Sequence, residues 1–114
     1  MAVSEHLSVD VRRDADMVVL RLDGELDLAS APLLEGEMER PEVGAAARVV
    51  IDLRDLQFID STGLRTIFTA HARSREREQE FAVTRGPEQV QRVLAITRLG
   101  EHLHIVDSPE QMLP

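Results

Sequence analysis

The sequence predicts an α/β fold, a single domain over residues 1–114 built on a mixed, mostly parallel sheet with helices packed against it. Three observations carry this. Apolar residues alternate at period two near the N-terminus, "RVVIDL" at residues 48–53 is almost continuously aliphatic, and runs with helical spacing separate the later strand-like runs. Strands separated by helices need crossovers and so pair in parallel, while the first two can form an antiparallel hairpin. A chain of 114 residues has room for one core and no second domain. Aromatic residues make up only 3%, so the core must be built from Val, Leu and Ile.

Element by element, Leu7, Val9 and Val11 alternate with polar neighbours as a strand with one wet face does, and "MVVLRL" from Met17 supplies its hairpin partner after the turn-like "RRDAD". Gly24 is expected to break that second strand. Ser30 and Pro32 then mark a helix start, a capping hydroxyl followed by a ring that needs no amide partner, with Leu33, Leu34 and Met38 inward. Residues 48–53 read as the central strand, covered on both faces. From Ser61 the spacing turns helical, with Leu64, Ile67, Phe68 and His71 on one stripe, Arg65, Thr66, Thr69 and Arg73 pointing elsewhere, and the alternating charges of "RSRERE" as a solvated end. "EFAVT" at residues 80–84 is a short strand. Gly86 and Pro87 open a third helix with Val90, Val93, Leu94 and Thr97 inward and Gly100 closing it. "HIVD" returns as a strand, and Ser108 and Pro109 begin a last helix of barely one turn.

Composition narrows the function classes. A net charge of −8 and a pI near 4.9 argue against a nucleic-acid surface and favour a basic protein partner. All thirteen basic residues are arginine, which carries no functional weight here. The absence of cysteine excludes disulfides, thiolate nucleophiles and Cys-ligated zinc, and fits a reducing cytoplasm. The apolar runs are interrupted by charge within a few residues, so neither a membrane span nor a signal peptide is expected.

The concentrated polar chemistry is "IDSTG" at residues 59–63. A serine or aspartate at a helix start is first of all a cap for the unpaired amides of the first turn, and capping accounts for Asp60 or Ser61 without any activity. The same geometry suits a phosphate on Ser61, which would meet free amides and the positive end of the helix dipole. It would add nearly two negative charges beside Asp60, so a partner surface packed there would meet repulsion and a desolvation cost. Gly63, lacking a side chain, is expected to let another protein's active site come close to the hydroxyl.

"DLRDLQFIDSTGLRTI" resembles the signature of the bacterial anti-sigma factor antagonists of the STAS domain superfamily, and "LDGELDLASAP" at residues 22–32 resembles their second block. The resemblance spans essentially the whole chain, so it implies a STAS-like single domain. It further implies that Ser61 is phosphorylated by an anti-sigma factor that is itself a serine kinase of the histidine-kinase-like ATPase type. The unphosphorylated protein would bind that anti-sigma factor and release a sigma factor, and a serine phosphatase would reset the switch, as in cascades governing stress response or sporulation. Thr62 is the second candidate acceptor. The resemblance places Asp27 and Asp60 beside the serine, orienting its hydroxyl and shaping the partner site, with Gly63, Leu64 and Arg65 on the contact helix. The "SPEQMLP" tail departs from the longer final helix of these antagonists.

Other chemistries find less support. A serine hydrolase needs a base and an oxyanion hole, and "IDSTG" is not the GxSxG elbow; His71, on the apolar stripe, reads as a packing residue. No catalytic residue is therefore assigned. His102 and His104 share a strand face but lack a third ligand, so no metal is expected, and no phosphate loop supports a nucleotide or other cofactor. Two competitors use the same fold: a STAS subunit of a transporter or larger signalling assembly, and a module binding a small anion at the amides near Ser61. The free-standing length favours a diffusible antagonist.

Overall fold

The structure is a computed structural model that describes the chain apart from residues 99 and 100. Its elements are β1 (Ala2–Val3), β2 (Leu7–Asp14), β3 (Met17–Leu26), α1 (Ala31–Met38), α2 (Pro41–Gly44), β4 (Arg48–Ile59), α3 (Ser61–Glu76), β5 (Glu80–Thr84), α4 (Glu88–Ile96), β6 (Ile105–Val106) and a C-terminal 3-10 turn, Pro109–Met112. The six strands lie side by side in chain order, β1 to β3 antiparallel and β3 to β6 parallel. The expected mixed, mostly parallel sheet is present. Strand order never reverses, so no crevice opens at a topological switch point.

The helices all pack on one face. There Val9, Leu20, Val49 and Ile51 meet Leu34, Leu64, Ile67, Val90 and Leu94 in one aliphatic cluster. On the opposite face Met17, Val19, Val50, Ala82 and Val106 form a smaller cluster closed by Met112 of the C-terminal turn. β4 is thus buried on both faces, as its sequence predicts. His71 stacks on Phe81 with ring centroids 5.4 Å apart, and burial, helped by Arg75 and His102, pushes its pKa down. It is a packing residue of α3.

Several expectations are corrected. Gly24 does not end β3; the strand runs on to Leu26 through two register shifts, and Gly24 lies inside it at φ +112°. A Cβ there would stand 2.2 Å from the His6 carbonyl oxygen, so only glycine lets that backbone in. β4 extends to Ile59 instead of stopping at residue 53, which leaves Asp60 as the whole link to α3. Thr66 is buried, its hydroxyl bonded to the Thr62 carbonyl at 3.1 Å. The edge strand β1 and the helical turn α2 carry too little pattern to be read from sequence. α4 ends at Ile96 with Thr97 as its cap, and Gly100, expected to close it, lies outside the described residues.

Candidate functional site

The site is built at the carboxyl ends of β3 and β4, which are neighbours in the sheet with Leu26 opposite Ile59. Asp60 follows β4 directly and caps α3: its backbone is extended, and its Oδ1 accepts from the Gly63 amide at 2.8 Å. Its other oxygen, Oδ2, accepts from the Leu28 amide at 3.2 Å, and its own N–H donates to the Leu26 carbonyl at 3.2 Å. One carboxylate therefore fixes the helix start and the β3–α1 loop together. Of the two capping candidates, Asp60 is the cap.

That frees Ser61. It is the first residue of the 16-residue helix, exposed, and its hydroxyl makes no hydrogen bond among the described residues. Thr62 is half-buried, and Arg65 is exposed one turn on. Gly63 and Leu64, expected to touch a partner, are buried instead. The bareness of Gly63 also faces inward: a Cβ would stand 2.4 Å from the Leu26 carbonyl oxygen and 3.0 Å from Ile59 Cγ1. Its role is to seat α3 against the strand ends, which corrects the idea that it clears the way to the hydroxyl.

Among the described residues Asp27 makes no hydrogen bond to Ser61; its bonds go to its own loop. Its Oδ1 accepts from the amides of Ala29 and Ser30, both at 3.0 Å, and from the Ser30 hydroxyl at 3.1 Å. These bonds, chiefly the backbone one from Ser30, hold its pKa below the usual carboxylate range. Ser30 in turn donates to the Glu25 carbonyl at 2.7 Å and accepts from the Asp27 amide at 2.9 Å. It is therefore a buried loop lock and makes no side-chain cap on α1, contrary to its expected role. Asp27 and Asp60 shape the site by pinning the loop between them.

Sequence reasoning also missed two exposed apolar side chains. Leu28 is 73% exposed on the pinned loop, and Phe58 is 48% exposed two residues before Asp60. A leucine between the polar loop residues of "LDLAS" was the available signal for the first, and the second was hidden by the underestimated length of β4. Among the described residues no group of three or more metal-ligating side chains forms, and no helix is long and apolar enough to cross a membrane.

A six-stranded α/β sheet with its helices on one face, presenting an exposed serine beside the Asp60 cap where β4 passes into α3, defines the class of protein: a single-sheet α/β domain with its polar site at a strand end. The sequence pattern of the STAS domain matches residues 8–112, and the chain belongs to that family. It is 27% identical over 108 residues to an anti-sigma-B factor antagonist of Listeria monocytogenes, covering 94% of this chain and 95% of the relative. The crystal structure of an anti-sigma factor antagonist from Mycobacterium paratuberculosis shares the fold, with a TM-score of 0.81, 23% identity and coverage of 97% and 94% of the two chains. So does the Bacillus cell fate determinant SpoIIAA in its phosphorylated form, with a TM-score of 0.69, 18% identity and coverage of 91% and 95%.

Proposed function

We propose that this chain is a cytoplasmic anti-sigma factor antagonist that works as a phosphorylation switch at Ser61. Unphosphorylated, it binds an anti-sigma factor and so releases a sigma factor; the anti-sigma factor, a serine kinase, phosphorylates Ser61 and ends the complex, and a serine phosphatase restores it. The observation that carries this reading is the division of labour at the helix start. Asp60 does the capping, so the Ser61 hydroxyl is free and exposed. The Gly63 and Leu64 amides are taken by Asp60, which leaves those of Ser61 and Thr62 for water or for an anion at the positive end of the dipole. A phosphate there could be held without unfolding the domain. The name of the Listeria relative and the existence of a phosphorylated protein with this fold point the same way.

The test begins with Mg-ATP and the purified histidine-kinase-like serine kinases of the source organism, with phosphosite mapping on the wild type and on Ser61→Ala. Phosphate is expected on Ser61 and lost in the variant; phosphate on Thr62 would shift the acceptor by one residue. In direct binding, Ser61→Ala should retain affinity for the kinase while Ser61→Glu loses at least about tenfold, about 1.4 kcal/mol. Equal affinities would overturn the switch. No modification by active kinases would move the reading to a STAS subunit of a larger assembly, and an anion bound equally by Ser61→Ala to an anion-binding module.

A further inference from the structure

Most arginines of this chain lie against a carboxylate, as Arg21 does against Asp55 and Arg92 against Glu88 one helical turn away. Arg65 does not. Its exposed guanidinium makes no hydrogen bond or ion pair among the described residues, although the chain holds 21 acidic residues for thirteen arginines. Three and four residues either way along α3 its neighbours are Ser61, Thr62, Phe68 and Thr69, so its own helix offers it no charge. Ser61 stands exposed four residues back on the same face, a spacing at which two Cβ atoms are about 5–6 Å apart.

A phosphate on Ser61 sets up a local conflict. It puts a dianion next to Asp60, whose carboxylate holds the Gly63 and Leu28 amides and with them the helix start and the β3–α1 loop. Asp60 has no arginine against it among the described residues, and Asp27 is bonded to its own loop. Like charges placed so close loosen the cap unless a cation stands within reach. We propose that Arg65 is the intramolecular counterion of the phosphate on Ser61: its guanidinium, free in the unphosphorylated protein, turns back along α3 to pair with the phosphate and so preserves the Asp60 cap. Acid at i and base at i+4 is the favourable order on a helix, and the planar guanidinium can take two phosphate oxygens at once. The inference rests on the switch reading above and says how the off form is built. Binding is then lost through charge added at an intact helix start, and not through melting of α3 or of the loop.

The experiment places phosphoserine at position 61 during synthesis, so that no kinase is needed. It does so in the wild type, Arg65→Gln, Arg65→Lys and Arg75→Gln, the last an exposed arginine near the far end of α3. A phosphorus NMR titration reads the second ionisation of the phosphate, which for free phosphoserine lies at about pH 6. That pKa should be about 0.4 lower in the wild type than in Arg65→Gln, the worth of one i,i+4 ion pair. Arg65→Lys should lie close to the wild type and Arg75→Gln should match it. Amide exchange at Gly63 and Leu28 should be as slow in the phosphorylated wild type as in the unphosphorylated protein, and should quicken in phosphorylated Arg65→Gln. Without phosphate, Arg65→Gln should exchange as the wild type does. Equal phosphate pKa values in the wild type and Arg65→Gln would overturn the pairing, and equal exchange rates in their phosphorylated forms would overturn its role in keeping the cap. Either result leaves the switch standing; if instead active kinases leave Ser61 unmodified, the switch reading fails and the inference falls with it.

Discussion

Asp60 is the residue on which the site turns, because it joins three pieces of backbone: its carboxylate holds the start of α3 and the loop that presents Leu28, and its own N–H holds the end of β3. Replacing it by alanine should cost about 1 kcal/mol in urea denaturation, the usual worth of a lost cap. Hydrogen exchange at Leu28 should quicken in the same variant, since its amide loses its acceptor; protection equal to that of the wild type would show that the loop holds itself. Gly24 makes the opposite case, in which a missing atom matters. Gly24→Ala places a methyl against the His6 carbonyl and forces a residue with a side chain to φ +112°, so a loss of about 3 kcal/mol is expected. A variant as stable as the wild type would mean that β2 and β3 can separate there at no cost.

At the scale of elements, β4 couples the core to the site. It supplies Val49, Ile51 and Leu53 to the helical face and Val50 to the other, and then runs on to position Asp60. Its one deeply buried charge, Asp52, accepts from the Thr84 hydroxyl at 2.9 Å and from the Arg54 guanidinium at 2.8 and 3.0 Å. Burial pushes its pKa up, but the bonds from Arg54 and Thr84 outweigh that and hold it below the ordinary carboxylate value. A carboxyl depressed in the folded state stabilises the protein above its unfolded pKa of about 3.9, and that contribution disappears as pH falls through the folded value. Asp52→Asn should therefore be less stable than the wild type by about 1–3 kcal/mol at pH 7, and the gap should close under acid. Denaturation midpoints at pH 7 and pH 3 decide it: a gap that persists unchanged at pH 3 would show that the charge is not what matters.

For the whole molecule, the uneven layering sets where the chain is vulnerable. One face of the sheet carries α1 to α4, whereas the other is closed by the C-terminal turn, with Met112 and Leu113 on the smaller apolar cluster. Met112→Ala should cost about 2 kcal/mol, at the low end for a buried methionine because it lies at the rim of that cluster. The same variant should bind the anti-sigma partner proposed above as the wild type does, because α3 with Ser61 and the C-terminal turn pack on different faces of the sheet. A stable fold with impaired binding would mean that the turn also touches the partner.

The sequence by itself determined the class of fold, the parallel core strand and the position of Ser61 at a helix start, because each rests on local periodicity and on residue types with one dominant use. Only the tertiary structure decided which of Asp60 and Ser61 is the cap, that Ser30 locks a loop, and that Gly63 and Leu64 lie inward while Leu28 and Phe58 lie outward. A cap, a lock and an exposed apolar side chain are defined by what stands, or does not stand, across from them. At this site the neighbours come from strands more than thirty residues apart, joined by bonds such as that from Leu28 to Asp60. The long reach of β3 through Gly24 was illegible for the same reason, since the carbonyl that demands glycine belongs to His6 on another strand.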